Sequence, residues 1–238
     1  MLNMVVGSGM LATRFVKYLD CHKFLIFASG VSNSKETRLS EFQREFELLK
    51  ETILSYPELH LVYFSTCSMY DPDEKYSDYV LHKIKLETYI KKHVRSYSIF
   101  RISQIIAIAK NQTLINFLIN NIKSQIKFNV WKMATRNLIA IDDVFAIIDY
   151  MLQYKVAYNK IIHVANDLNI SIFNLIAIVE RCIGMKASIV VLDKGKPYDK
   201  IPIDDISECL DALNVRFDDE YYERTIKSLL TEERVALC

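Results

Sequence analysis

Four short strand-like runs, Leu2–Val6, Phe24–Ala28, Leu61–Phe64 and Ser98–Ile102, alternate in the first 105 residues with segments of helical period. Leu11, Phe15, Val16 and Leu19 mark the first such segment, Leu39, Phe42, Phe46, Leu49 and Ile53 form one stripe through residues 35–55, and residues 76–95 are amphipathic again. A parallel pair of strands needs a long return, and an apolar-striped helix supplies it while covering the sheet. The alternation therefore predicts an α/β fold, a parallel sheet with helices on both faces. Past residue 110 the pattern loosens into helices over 113–124, 142–153 and 171–183, extended pieces near 126–131 and 137–140, strands over 160–165 and 187–192, and a last helix near 219–230. We expect residues 1–108 to form the sheet domain, the strand near 160–165 to return to it, and 109–238 otherwise to form a small C-terminal lobe.

Composition narrows the function. Thirty Lys and Arg against 29 Asp and Glu leave no basic surplus to hold nucleic acid. The five cysteines, Cys21, Cys67, Cys182, Cys209 and Cys238, are odd in number, scattered and without CxxC spacing, so we expect reduced thiols in a cytoplasm and no metal site. The opening MLNMVVGSGMLATRF has no basic leader and its apolar run breaks at Gly7, which predicts neither a signal peptide nor a membrane span.

Gly7-Ser8-Gly9-Met10-Leu11-Ala12 is a GxGxxA turn between the first strand and the first helix. Missing side chains at such a turn let a pyrophosphate approach the backbone, as in a Rossmann dinucleotide site. Small residues needed only for close packing would leave the same pattern. An acidic residue for the adenosine ribose should end the second strand, but Ala28-Ser29-Gly30-Val31-Ser32-Asn33-Ser34 stands there. The loop hydroxyls, with Lys35 or Arg38, suit a 2′-phosphate instead, so the expected cofactor is NADP or NAD, with NADPH slightly favoured. Tyr79 and Lys83 share one helix face. A lysine beside a phenol lowers its pKa and readies it for proton transfer. Thr66, at the end of the third strand, is placed to hydrogen-bond the reacting oxygen. Without Thr66, a solvated tyrosine and lysine would explain the YxxxK as well.

In order, GSGMLA, the strand end YFSTCSMY, the YxxxK, FRIS and Arg136-Asn137-Leu138-Ile139-Ala140-Ile141-Asp142-Asp143-Val144 resemble the extended short-chain dehydrogenase/reductases. More narrowly, they resemble the nucleotide-sugar epimerase, dehydratase and reductase branch, over nearly the whole chain. The resemblance implies a Rossmann-like domain with a substrate-binding lobe and a catalytic set of Thr66, Tyr79 and Lys83. Tyr79 would be the acid/base, with Lys83 lowering its pKa and holding the cofactor ribose. Gly7 to Ala12, Ser29 and Gly30 would bind the rest of the cofactor. Arg136 would lie near the substrate diphosphate, and Asn116, within NQTLINFLINN, would offer an amide to the sugar or nucleotide. Arg136 equally suits an ion pair with Asp142 or Asp143, and we expect His82 to be exposed and Trp131 to be core.

The implied activity is NAD(P)-dependent chemistry on a nucleotide-linked sugar of lipopolysaccharide or capsule assembly. We place 4-keto reduction first and 4-epimerisation second, and disfavour elimination because no Asp-Glu pair adjoins Thr66. Relatives often dimerise through the helices equivalent to 36–55 and 76–95, so a homodimer is expected. The chain departs from the family between the first helix and Thr66, where only one strand and one helix fit and about 30 residues, one βαβ-sized piece, are missing. Crossover handedness, right-handed in about 98% of cases, favours placing 24–28 in the second-strand slot, with sheet order 2-1-3. Local sequence favours the fourth-strand slot. Either way the adenosine end of the cofactor should be less enclosed. Loss of cofactor binding, leaving a non-catalytic relative, is the reading from another class.

Overall fold

Strands β1 (Val5–Val6), β2 (Phe24–Phe27), β3 (His60–Thr66) and β4 (Tyr97–Ile102) alternate with helices α1 (Met10–Arg14), α2 (Leu39–Ser55) and α3 (Asp78–His93) in the computed structural model of the chain. The structure describes residues 4–107 and 113–236, so Leu2, Asn3, the expected boundary at 108–109, Asn111 and Cys238 lie outside the described residues. The second half continues with β5 (Gln104–Ile106), α4 (Leu114–Lys123), β6 (Phe128–Trp131), β7 (Thr135–Arg136), β8 (Leu138–Ala140) and α5 (Ile141–Gln153). It ends with β9 (Lys160–Val164), β10 (Ile170–Ser171), α6 (Ile172–Ile183), β11 (Ile189–Leu192), α7 (Ser207–Leu213) and α8 (Tyr221–Ala236).

Among the described residues the main sheet has five strands, all parallel, in the order β1-β2-β3-β4-β9. This corrects the expected 2-1-3 order. Residues 24–27 lie between β1 and β3, in the fourth-strand slot, and β1 is the edge. Burial explains the outcome: Phe24, Leu25, Ile26 and Phe27 are all buried, so this strand needs neighbours on both sides and cover on both faces.

Alternate residues divide the core. Phe24, Ile26, Val62, Phe64, Phe100 and Ile162 pack with Ala12, Phe15 and Tyr18 after β1 and with Ile147, Ile148 and Met151 of α5. Leu25, Phe27, Leu61, Tyr63 and Ile99 face Leu49 of α2 and Leu86 and Ile90 of α3. Helix α1 thus lies on one face and α2 and α3 on the other, although all three connections step the same way along the sheet. The α1 connection is the odd one in hand, against a rule that holds in about 98% of crossovers. Its helix has only five residues.

In the second lobe, β6 and β11 run parallel, β7 pairs antiparallel with β10, and β5 runs parallel to β8. Ile115, Leu118, Ile119, Leu175, Val179 and Ile226 of α4, α6 and α8 close a separate core over them. No helix among the described residues is long and apolar enough to cross a membrane.

Candidate functional site

All five parallel strands deliver their carboxyl ends to one edge of the sheet. After β1 the chain turns to the α1 face, and after β2 to the α2 face, which opens a crevice between neighbouring strand ends of the kind that holds ligands in open α/β sheets. Gly7 forms its floor. A side chain there would begin 2.5 Å from the Ala28 carbonyl oxygen, and the residue's φ of +125° belongs to glycine. Gly9 differs: it is exposed, with nothing within 4 Å of where a Cβ would stand. Ser8 is exposed, Met10 and Leu11 are half-buried, and Ala12 is buried beneath the turn. The turn thus offers an uncovered backbone that fits a pyrophosphate.

Thr66 ends β3, 5% exposed, with its hydroxyl donating to Ser68 Oγ at 2.9 Å and accepting from the Ser68 N–H at 3.0 Å. Beside it Cys67 is sealed, its thiol on the Arg101 carbonyl and pushed well up by burial.

Tyr79 and Lys83 lie on α3, whose start is capped by Ser77 accepting the Val80 N–H. Tyr79 packs with Val31, Phe42 and Val80. Lys83 Nζ lies 5.7 Å from the centre of the Tyr79 ring, but its hydrogen bonds go elsewhere. It donates to Glu45 Oε1 at 2.7 Å and to the Tyr63 hydroxyl at 3.3 Å. The Glu45 carboxylate collects three further donors: Tyr63 OH at 2.9 Å, His82 Nε2 at 3.2 Å and the Val31 N–H at 2.8 Å. Burial would raise the Glu45 carboxyl, but the Lys83 charge and these hydrogen bonds outweigh it and hold it at about 2. Burial, and then the Glu45 charge, push the Tyr63 phenol well up, so it remains a donor. His82, expected at the surface, is buried in this cluster, its ring tilted against Phe42 with centroids 4.7 Å apart. The reason is the carboxylate it reaches.

Ser29 and Gly30 are half-buried after β2. Gly30 lies over Lys83, where a Cβ would begin 2.7 Å from Nζ, while the Ser29 backbone nitrogen lies beside the turn at Gly7. Lys35 pairs with Glu74, and Arg38 with Glu36 and Glu41. Both basic side chains are largely exposed.

Arg136 pairs with neither Asp142 nor Asp143. Asp142 takes Arg14, Asp143 accepts from Tyr221, and Arg136 lies 3.9 Å from Asp71 while donating to the Thr135 carbonyl. Arg136 and Asp71 line a cavity of about 230 Å³ with Phe117, Phe128 and the half-buried Trp131. Leu114, Phe117 and Leu118 represent α4 in its wall, and Asn116 stands outside it. Asp71 and Glu74 bring the cavity to the loop that joins Thr66 to Tyr79. A larger space of about 430 Å³, along Asp142, Asp143, Tyr221 and Arg224, contains none of the expected site residues.

No protein-family model and no curated protein matches the chain by sequence. Solved structures do match. The dTDP-glucose 4,6-dehydratase of Bacillus anthracis in complex with NAD has 14% identity and a TM-score of 0.68, with 95% of this chain and 78% of that one covered. RMD of Pseudomonas aeruginosa, complexed with NADPH, has 12% identity and a TM-score of 0.68 over 98% and 89% of the two chains. The UDP-N-acetylglucosamine 4-epimerase of Methanobrevibacter ruminantium M1, in complex with UDP-N-acetylmuramic acid, has 13% identity and a TM-score of 0.66 over 91% and 77%. The chain shares the fold of these enzymes.

Within that fold, Glu45 is the residue that the sequence reading passed over. Phe42, Glu45, Leu49 and Thr52 form the buried face of α2, while Leu39, counted in the apolar stripe, is 76% exposed. A carboxylate three residues after Phe42 and four before Leu49, inside a buried stripe, was the available signal.

Proposed function

We propose that the chain is an NAD(P)-dependent oxidoreductase acting on a nucleotide-linked sugar, with 4-keto reduction as its reaction. The observation that carries this reading is the crevice over β1 and β2, where the uncovered backbone at Gly9 adjoins the strand ends that lead to Thr66 and Tyr79. The similar structures support it, since they include enzymes in complex with NAD, NADPH or a UDP-sugar. NAD and NADP stand equal. A bound nicotinamide dinucleotide would supply the hydride. Tyr79 would then give its proton to the sugar oxygen, and Thr66 would turn its hydroxyl from Ser68 toward that oxygen. Arg136 would offer its guanidinium to the diphosphate, above the apolar wall of Phe117, Phe128 and Trp131. Asn116 would act from the rim.

Elimination is disfavoured because Cys67, where an acid would be needed beside Thr66, is a buried thiol. Epimerisation at C4 is the alternative, supported by the epimerase among the similar structures. The non-catalytic reading has one observation in its favour, the commitment of Lys83 to Glu45. We further propose a cytoplasmic homodimer serving polysaccharide assembly. Free thiols at Cys21, Cys67, Cys182 and Cys209 suit that compartment. Exposed apolar residues Leu54 on α2 and Leu81 and Ile84 on α3 suit a pairing through those helices.

Fluorescence titration with NADH and NADPH tests the reading. The wild-type protein should bind, and Gly9→Ala should fold normally, since its Cβ meets nothing, yet lose binding. Absence of binding by the wild type at millimolar dinucleotide removes the cofactor from the proposal. NAD retained through purification would favour epimerisation. On an identified substrate, Tyr79→Phe should lower turnover by about 10²–10⁴-fold, the usual worth of a positioned acid/base.

A further inference from the structure

We propose that Glu45 competes with the dinucleotide for Lys83, so that Glu45 sets how tightly the cofactor binds. The inference rests on the dinucleotide reading above and concerns the same site. Lys83 has an ammonium with three protons and a side chain only 3% exposed, and its charge is answered inside the protein by a carboxylate of 0% exposure. That carboxylate is not a passing neighbour. It is fixed from α2, saturated by four donors, and bound through the Val31 N–H to the irregular segment that follows β2.

The segment is shaped to the pair. A side chain at Gly30 would begin 2.7 Å from Lys83 Nζ and 2.9 Å from Glu45 Oε1, so only a bare backbone lies this close. Val31 then packs on Tyr79, and Lys35 reaches Glu74 across the loop that precedes α3. A ribose hydroxyl that takes a hydrogen bond from Lys83 must therefore share or replace Glu45 and lift Gly30 and Val31. The turn at Gly9 has no such obstacle. One end of the crevice is thus open to a dinucleotide, and at the other the ribose meets a Lys83 already held by Glu45.

The wild type, Glu45→Gln and Glu45→Asp proteins would be titrated with NADH and NADPH, with thermal melts to confirm folding. Glutamine keeps an acceptor for the surrounding donors and removes the charge, so Glu45→Gln should bind at least tenfold more tightly than wild type, while Glu45→Asp stays near wild type. Wild type that binds, with Glu45→Gln binding equally or more weakly, overturns the competition and leaves the dinucleotide reading standing. No binding by any of the proteins overturns both. Hydrogen exchange on the wild type needs no variant: saturating NADH should slow exchange at residues 7–12 and speed it at residues 30–32. Unchanged or slower exchange at 30–32 would mean that Glu45 keeps its hold on Val31 when the cofactor binds, which also overturns the proposal.

Discussion

Helix α3 is fastened to the sheet domain by two ion pairs one turn apart, Lys83 with Glu45 and Glu87 with Arg101, and their surroundings differ. Glu87 takes Arg101 through Nε and Nη2, at 2.9 and 2.6 Å, and a third donor from Ser65 at 2.6 Å. Both partners stand on regular elements, and the Arg101 side chain keeps 19% of its surface in solvent. The pair Lys83–Glu45 is dry, 3% and 0% exposed, and its cover is a loop held by Gly30 and Val31. A bidentate arginine pair that retains water needs nothing beyond itself. A dry lysine pair must have every donor matched, because an unmatched charge there is costly. The first pair is an anchor, and the second is an ion pair covered by a loop.

The largest effect should separate the two carboxylates. Glu45→Ala strands the Lys83 ammonium away from water and should cost about 3–5 kcal/mol in urea unfolding. Glu87→Ala leaves Arg101 access to solvent and should cost less, about 1–3 kcal/mol. Replacing both partners, Glu45→Leu with Lys83→Met, should recover most of the first loss, since well-packed apolar groups substitute for a buried pair. Equal costs for the two single alanines would erase the distinction.

The contrast also explains what the sequence could and could not reveal. The strand and helix positions were legible because burial on both faces writes continuous apolar runs such as Phe24 to Phe27, and helix stripes such as Phe42 and Leu49. Strand order was not. Local pattern favoured the fourth slot for Phe24 to Phe27 and handedness argued for the second. The apolar run, which an edge position would have left half in water, prevailed over the handedness of a five-residue helix. Tyr79 and Lys83 were visible as a spacing, and Thr66 as a strand end. Their partners were hidden because Glu45 is 38 residues from Lys83 in the chain, and a long-range pair leaves no local period. His82 was misread for the same cause, because its place one residue from Lys83 suggested solvent until a carboxylate from another helix accounted for it.

A smaller effect comes from the cover. Gly30→Ala pushes a methyl group into contact with both charged atoms of the Lys83–Glu45 pair, and should cost about 1–3 kcal/mol, the range of an overpacked core site. It should leave the Glu87–Arg101 pair untouched. The informative measurement is a double-mutant cycle between Gly30→Ala and Glu45→Gln, with Gly30→Ala and Glu87→Gln as the reference. Coupling in the first cycle and additivity in the second would show that the loop acts on one pair alone. Additivity in both would mean that the loop adjusts without disturbing Lys83.

The smallest effect near neutral pH is the titration of the dry carboxylate, because its charge is already in place there. Its folded pKa, at about 2, lies below the ordinary value of 4.5, so the unfolded chain binds the extra proton. The stabilisation that Glu45 contributes is therefore complete above pH 4.5 and is lost as pH falls from there toward 2. Urea unfolding repeated across that interval should give a steeper loss for wild type than for Glu45→Gln, whose side chain does not titrate. The curves should converge at the acid end, where wild type has lost the advantage of its charge. Parallel curves would mean that Glu45 releases its proton as easily in the unfolded chain as beneath Gly30, and the picture of a saturated, dry carboxylate holding Lys83 would fail.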